Sequence, residues 1–140
     1  MAKSIIVDTG YWLALFDPKD GYFSQAGPKS HYLESEHKIM FPWPTLYETL
    51  GTKFVKNSQG INNLQRLLKR QNILFIDDVA YRHNALDLTM QSAKRNRPIS
   101  LCDMMIRLML EDTNLRINAI LTFNPKDFVD VCRSRRVEML

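Results

Sequence analysis

A chain of 140 residues, 45% hydrophobic and 24% charged, has room for one domain with a real core and matches an ordinary globular composition. It has no run near the roughly 20 apolar residues of a membrane span, no secretory signal at its N-terminus, and no zinc-like or disulfide-like spacing around Cys102 and Cys132, so a single domain over 1–140, cytoplasmic and free of membrane, is expected. The net charge of +4 is uneven: residues 1–65 carry six lysines and six acids, whereas 66–140 carry thirteen Lys and Arg, with all ten arginines, against nine acids, a weak lean toward an anionic partner because arginine grips phosphate bidentately.

Ser4–Val7 is short, β-branched and unalternating, as a strand buried on both faces would be. Tyr11–Phe16 reads as a short helix that Asp17-Pro18 ends. Helix is predicted over Tyr22–Ser35 and strand over Lys38–Phe41. Pro42 and Pro44 bracket Trp43, read as a packing anchor, before a helix over Thr45–Lys56 with Leu46, Tyr47, Leu50 and Phe54 at helical spacing. Asn57-Ser58-Gln59-Gly60 reads as a stop, Ile61–Arg70 as an amphipathic helix, and Ile73–Ile76 as a third strand. Tyr81–Lys94 is predicted helical. Arg95-Asn96-Arg97-Pro98 is a loop, and Ser100 caps a helix over Leu101–Glu111. Ala119–Thr122 is a fourth strand, a turn through Phe128 leads to a short helix, and Val137–Leu140 is a candidate edge strand. Strands alternating with helices predict an α/β domain with a central, mainly parallel sheet of four to five strands flanked by helices. In such sheets ligands gather at the carboxyl ends of the strands, where Asp8 falls.

Three acids stand among apolar neighbours: Asp8 after Ile-Ile-Val, Glu48 in Thr-Leu-Tyr-Glu-Thr-Leu, and Asp103 in Ser-Leu-Cys-Asp-Met-Met-Ile. Singly, each has an ordinary explanation. Asp8 suits a helix N-cap, Asp103 suits a first helical turn, and Glu48 suits the wet side of a helix. Together they lack any Lys or Arg within two positions. Clustered acids repel and raise one another's pKa unless a hard cation joins them. Acids for a metal beside cations for a phosphate backbone make a coherent nuclease arrangement.

These segments resemble the PIN-domain family, particularly VapC-type toxins of toxin–antitoxin pairs. The resemblance is carried by Val7-Asp8-Thr9-Gly10, by Thr45-Leu46-Tyr47-Glu48-Thr49, by Arg97 to Ile106 around Asp103, and by Leu121-Thr122-Phe123-Asn124-Pro125-Lys126-Asp127-Phe128. It implies a PIN-like fold and divalent-metal-dependent hydrolysis of RNA phosphodiester bonds. Asp8, Glu48 and Asp103 would hold Mg²⁺ or Mn²⁺, and Thr9 and Thr122 would support them. The fourth position stays open between Asn124, a neutral ligand or water-holder, and Asp127, a further catalytic acid or a helix cap. A homodimer and a cognate antitoxin are implied partners. Lys94, Arg95 and Arg97 border the loop before Asp103 and are candidates for RNA phosphate contacts. The alternatives are a PIN-domain RNA-processing nuclease without an antitoxin, or a degenerate, non-catalytic RNA-binding module. A haloacid-dehalogenase-type phosphatase also opens with a strand ending in Asp, but needs a second Asp where this chain has Gly10.

Overall fold

The first strand, β1 (Ser4–Val7), lies at the middle of its sheet and is covered on both faces, as its unbroken apolar run requires. The computed structural model describes residues 2–140. Strands β2 (Lys38–Pro42), β3 (Ile73–Ile76), β4 (Ala119–Leu121) and β5 (Glu138–Met139) complete a five-stranded sheet in the order β3-β2-β1-β4-β5. Every pairing is parallel. The α/β prediction therefore holds, with the sheet wholly parallel rather than mainly so.

Side chains alternate across the sheet, and two cores result. Ile5 and Val7 face one core with Ile39, Phe41, Ala119 and Leu121, under α1 (Thr9–Phe16) and α4 (Ser58–Leu68). Ile6 faces the other with Met40 and Ile120, under α6 (Leu101–Glu111) and α7 (Val129–Arg135). Trp12 is fully buried and lies flat on Phe41, with ring centroids 5.0 Å apart. A third cluster joins α6 to α5 (Arg82–Lys94) through Ala85, Ile99, Met104 and Met105.

The chain steps from β1 to β2 to β3 in one direction, then crosses to the far side of β1 for β4 and β5. The reversal falls between β1 and β4. The carboxyl edge at such a point is the place where an open parallel sheet receives ligands.

Three predicted helices differ in detail. The Tyr22–Ser35 helix is split into α2 (Phe23–Ala26) and a 3₁₀ stretch over Gly27–Leu33. Pro28 has no N–H to continue an α-helix. The Thr45–Lys56 helix divides into α3 (Trp43–Leu50) and a 3₁₀ turn over Lys53–Lys56. Between them the Thr52 hydroxyl accepts a hydrogen bond from Phe54 N at 3.2 Å, a local alternative to helix. Asn57 through Gly60 starts a helix as well as stopping one: Asn57 N donates to the Phe54 carbonyl at 2.9 Å to end the 3₁₀ turn, and the Asn57 side chain accepts from Gly60 N at 2.9 Å as the N-cap of α4. Trp43 is no packing anchor; it is 41% exposed, and its neighbour Tyr47 is 67% exposed.

Gly60 is needed for contact with the first core. A Cβ there would lie 2.6 Å from the Phe54 ring and 2.9 Å from the Phe16 carbonyl. Alanine favours helix by about 1 kcal/mol over glycine, but overpacking of this kind costs about 1–3 kcal/mol. Gly60→Ala is therefore expected to destabilise the protein, read as a lower urea midpoint with an unchanged slope.

Candidate functional site

Asp8 leaves the end of β1 and caps α1. Its backbone N–H continues the sheet by donating to the Leu121 carbonyl at 3.1 Å. One carboxylate oxygen, Oδ1, accepts from Thr9 N at 2.7 Å, and the other, Oδ2, accepts from the Thr122 hydroxyl at 2.9 Å. The cap reading is thus realised by one oxygen, while the other is held by the turn after β4. Thr122 Oγ1 also accepts from Asn124 N at 2.9 Å, so the turn after β4 is tied to the end of β1. Burial pushes the Asp8 carboxyl above its ordinary pKa, the bonds from Thr122 and Thr9 oppose this, and the charges of Glu48 and Asp127 add to it.

Four elements bring the acids together. Glu48 is on the exposed side of α3, one position before the buried Thr49. Asp103 is in the first turn of α6, whose cap Ser100 accepts from Asp103 N at 3.2 Å. Asp127 ends the 3₁₀ turn Pro125–Asp127, and its carboxylate accepts from the Asn124 side chain at 2.5 Å. Asn124 and Asp127 are therefore bonded to each other. Asp103 is raised to about 7, first by burial, then by the charges of Asp8, Glu48 and Asp127 and by a hydrogen bond with Asp127. Among the described residues, no ion pair involves Asp8, Glu48, Asp103 or Asp127. Their mutual repulsion is left to be relieved by a proton or a cation.

Cys102 packs beside the second core but also faces the acids. Burial raises its thiol pKa, and Glu48, Asp103 and Asp8 raise it further. The buried Thr9 hydroxyl lies at the same place and has no hydrogen-bond partner of normal geometry. Cys132 is buried in the second core.

The three candidate phosphate contacts separate. Asn96 takes a left-handed backbone (φ 63°), which asparagine tolerates, and turns the chain after α5. Arg97 then reaches the Lys126 carbonyl at 3.5 Å, next to Asp127. Arg95 and Arg97 both line a cavity of about 500 Å³ between α5 and α6. Lys94 is exposed at the end of α5. One residue was missed altogether. Arg107, one helical turn after Asp103, donates to the Asp127 carbonyl at 2.8 Å and grips both Asp130 oxygens at 2.7 and 2.8 Å. It holds the Asp127 turn against α6, and its guanidinium lowers Asp130 to about 2. A lone cation inside Met-Met-Ile-Arg-Leu-Met-Leu, four residues after Asp103, was the available signal.

The donor set suits a hard cation, being carboxylates with an amide and hydroxyls. Among the described residues, no three His, Cys, Asp or Glu side chains are arranged as a ready cage. Mg²⁺ does not require one, since it keeps several waters and is held through one or two carboxylates plus substrate phosphates. The residues therefore fit such an ion.

The fold, a parallel sheet flanked by helices, is PIN-like. The chain superposes on the structure of VapC20 from Mycobacterium tuberculosis, a sarcin-ricin loop cleaving toxin, with a TM-score of 0.68, 17% identity, and coverage of 91% of this chain and 95% of that one. It also matches VapBC2 from Rickettsia felis, bound to a DNA fragment from its promoter (TM-score 0.60, 15% identity, 100% and 98% covered). A third match is FitAcB from Neisseria gonorrhoeae (TM-score 0.53, 19% identity, 97% and 96% covered). No family model and no curated protein matches the sequence. The likeness is one of fold over nearly the whole chain.

Two predictions follow from the geometry. Because Asp103 binds its proton more tightly folded than unfolded, the stability it contributes is present below the ordinary carboxylate pKa and is lost as pH rises toward about 7. In the presence of chelator, Asp103→Asn should therefore gain stability relative to the unsubstituted protein between pH 5 and 8, read from paired urea midpoints. Arg107→Ala strands Asp130 and the Asp127 carbonyl, with an expected loss of roughly 1–3 kcal/mol of unfolding free energy by the same measurement.

Proposed function

We propose that the protein is a Mg²⁺- or Mn²⁺-dependent endoribonuclease and the toxin of a toxin–antitoxin pair. The observation that carries this reading is the grouping of Asp8, Glu48, Asp103 and Asp127 at the carboxyl edge of the sheet, where burial first and the neighbouring acids second hold Asp8 and Asp103 above the ordinary carboxylate pKa. The fold likeness to a toxin that cleaves the sarcin-ricin loop supports RNA as the substrate.

Asp8, Glu48 and Asp103 would hold the metal, with Asp127 as the fourth acid. The ion supplies charge neutralisation at the attacked phosphate and polarises water there. Thr122 and Thr9 N fix the Asp8 carboxylate. Asn124 orients Asp127, and Arg107 fixes the backbone that carries it. The raised Asp103 must lose its proton to act as a ligand, so metal binding competes with protons below about pH 7. Arg97, beside Asp127, is the best placed of the three candidate cations to meet an RNA phosphate, with Lys94 and Arg95 farther along the same loop.

A cognate antitoxin would occupy the acidic site to silence it. A homodimer is favoured by the exposed apolar side chains of Trp43, Tyr47, Phe75 and Val79 around α3 and β3. No described helix is long and apolar enough to cross a membrane, which accords with action in the cytoplasm. A non-catalytic RNA-binding module is the second reading, favoured by the absence of a ready three-ligand cage among the described residues.

Asp8→Asn separates the two. Asparagine is as good an N-cap as aspartate, so the fold should persist while the charge is lost. RNA cleavage in Mg²⁺ or Mn²⁺ should fall by about a hundredfold or more in Asp8→Asn and Asp103→Asn. Induced expression should arrest growth only with the unsubstituted chain. Cleavage as fast in both variants sinks the metal site.

A further inference from the structure

A column of aromatic rings rises beside the acids. Tyr11, fully buried, stacks on Phe123 with centroids 5.7 Å apart, and Phe123 stacks on Tyr22 at 4.6 Å with the planes only 7° apart. Tyr22 ends the column and is 47% exposed. One face of its ring lies on Phe123; among the described residues it has no other aromatic partner. Lys29 holds its ammonium 5.3 Å from the Phe123 centroid, on the flank of the column.

The column shares its frame with Asp8. Tyr11 N donates to the Asp8 carbonyl at 3.1 Å. Phe123 directly follows Thr122, whose hydroxyl holds the Asp8 carboxylate. The Tyr11 hydroxyl donates to the Ala26 carbonyl at 2.9 Å, fastening α2, and Tyr22 is the residue just before α2. Asp20 accepts from Tyr22 N at 2.8 Å and fixes the approach of the chain. The half-exposed ring of Tyr22 is thus held at a fixed offset from the acids, on a different segment from Arg97.

Resting on the reading that this site acts on RNA, we propose that Tyr22 is a stacking platform for an unpaired nucleobase next to the attacked phosphate, with Lys29 contacting the backbone beside that base. A half-exposed flat ring is a surface that single-stranded nucleic acid uses, because every base has a π-face. Splayed, unpaired bases stacked on aromatic rings are also how proteins grip RNA loops. The column would make the site select single-stranded or looped RNA over a regular duplex, without reading a particular base.

The test is binding in EDTA, where metal-dependent cleavage is suspended, using short single-stranded RNAs with one 2-aminopurine at successive positions. The protein should quench 2-aminopurine at one position. Tyr22→Phe should keep the quench. Tyr22→Ala and Tyr22→Leu should lose it and weaken RNA binding by about fivefold or more. With an abasic site at that position, all four proteins should bind alike. No quenching at any position, or equal affinity of Tyr22→Ala and the unsubstituted protein for intact RNA, overturns the inference and leaves the exposed ring to a polypeptide partner. Intact quenching with no cleavage in Mg²⁺ or Mn²⁺ would instead sink the nuclease reading alone.

Discussion

The bond from the Thr122 hydroxyl to the Asp8 carboxylate joins the two strands on either side of the switch point. Everything at the site is arranged around it. A carboxylate emerging from a strand buried on both faces has little water to solvate it. Two donors, Thr9 N and Thr122 Oγ1, make its burial tolerable. The same two donors set its direction. Thr122 then accepts from Asn124 N, Asn124 bonds Asp127, and Arg107 ties the Asp127 backbone to the helix that carries Asp103. The chain of contacts runs from the central strand through the turn after β4 to α6, and three of the four acids lie on it. Only Glu48 reaches the site from elsewhere, on the exposed side of α3.

The arrangement opposes stability. Asp8 and Asp103 are both held above their ordinary pKa, chiefly by burial and secondarily by neighbouring acids. Elsewhere in the protein an acid with a cation shows the reverse, as Arg107 draws Asp130 down to about 2. Buried like charges without a partner are the pattern of sites that await a ligand rather than of structural ion pairs. The cations that are close, Arg107 above all, are spent on backbone and on Asp130, which lies outside the cluster.

What the sequence disclosed depended on how local the cause was. β1 reads correctly because a short β-branched run is its own signal, and α6 reads correctly because Ser100 caps it and its apolar spacing is regular. Asp8, Glu48 and Asp103 were legible as acids out of place among apolar neighbours. The Asn57–Gly60 stretch was read only in part because the same polar residues end one segment and begin the next, and only the Asn57 cap bond shows the second role. Trp43 was misread because flanking prolines say nothing of what covers a side chain. Asn124 and Asp127 looked like competitors in sequence; three residues apart across a 3₁₀ turn, they bond each other. Arg107 and the Tyr11–Phe123–Tyr22 column depend on contacts between segments far apart in the chain, and no single window carries them.

The cations and the rings near the site have different chemistry. Arg97, in the loop after α5, offers charge to a phosphate. Phe123 and Tyr22, on separate segments, offer flat apolar area with Lys29 beside them. A duplex keeps its bases stacked inward and presents only phosphate to both. A single strand can present phosphate to the arginine and a base to the rings at once. Selection of looped or single-stranded RNA would then arise from the unlike chemistry of the cations and the rings rather than from hydrogen bonds to base edges.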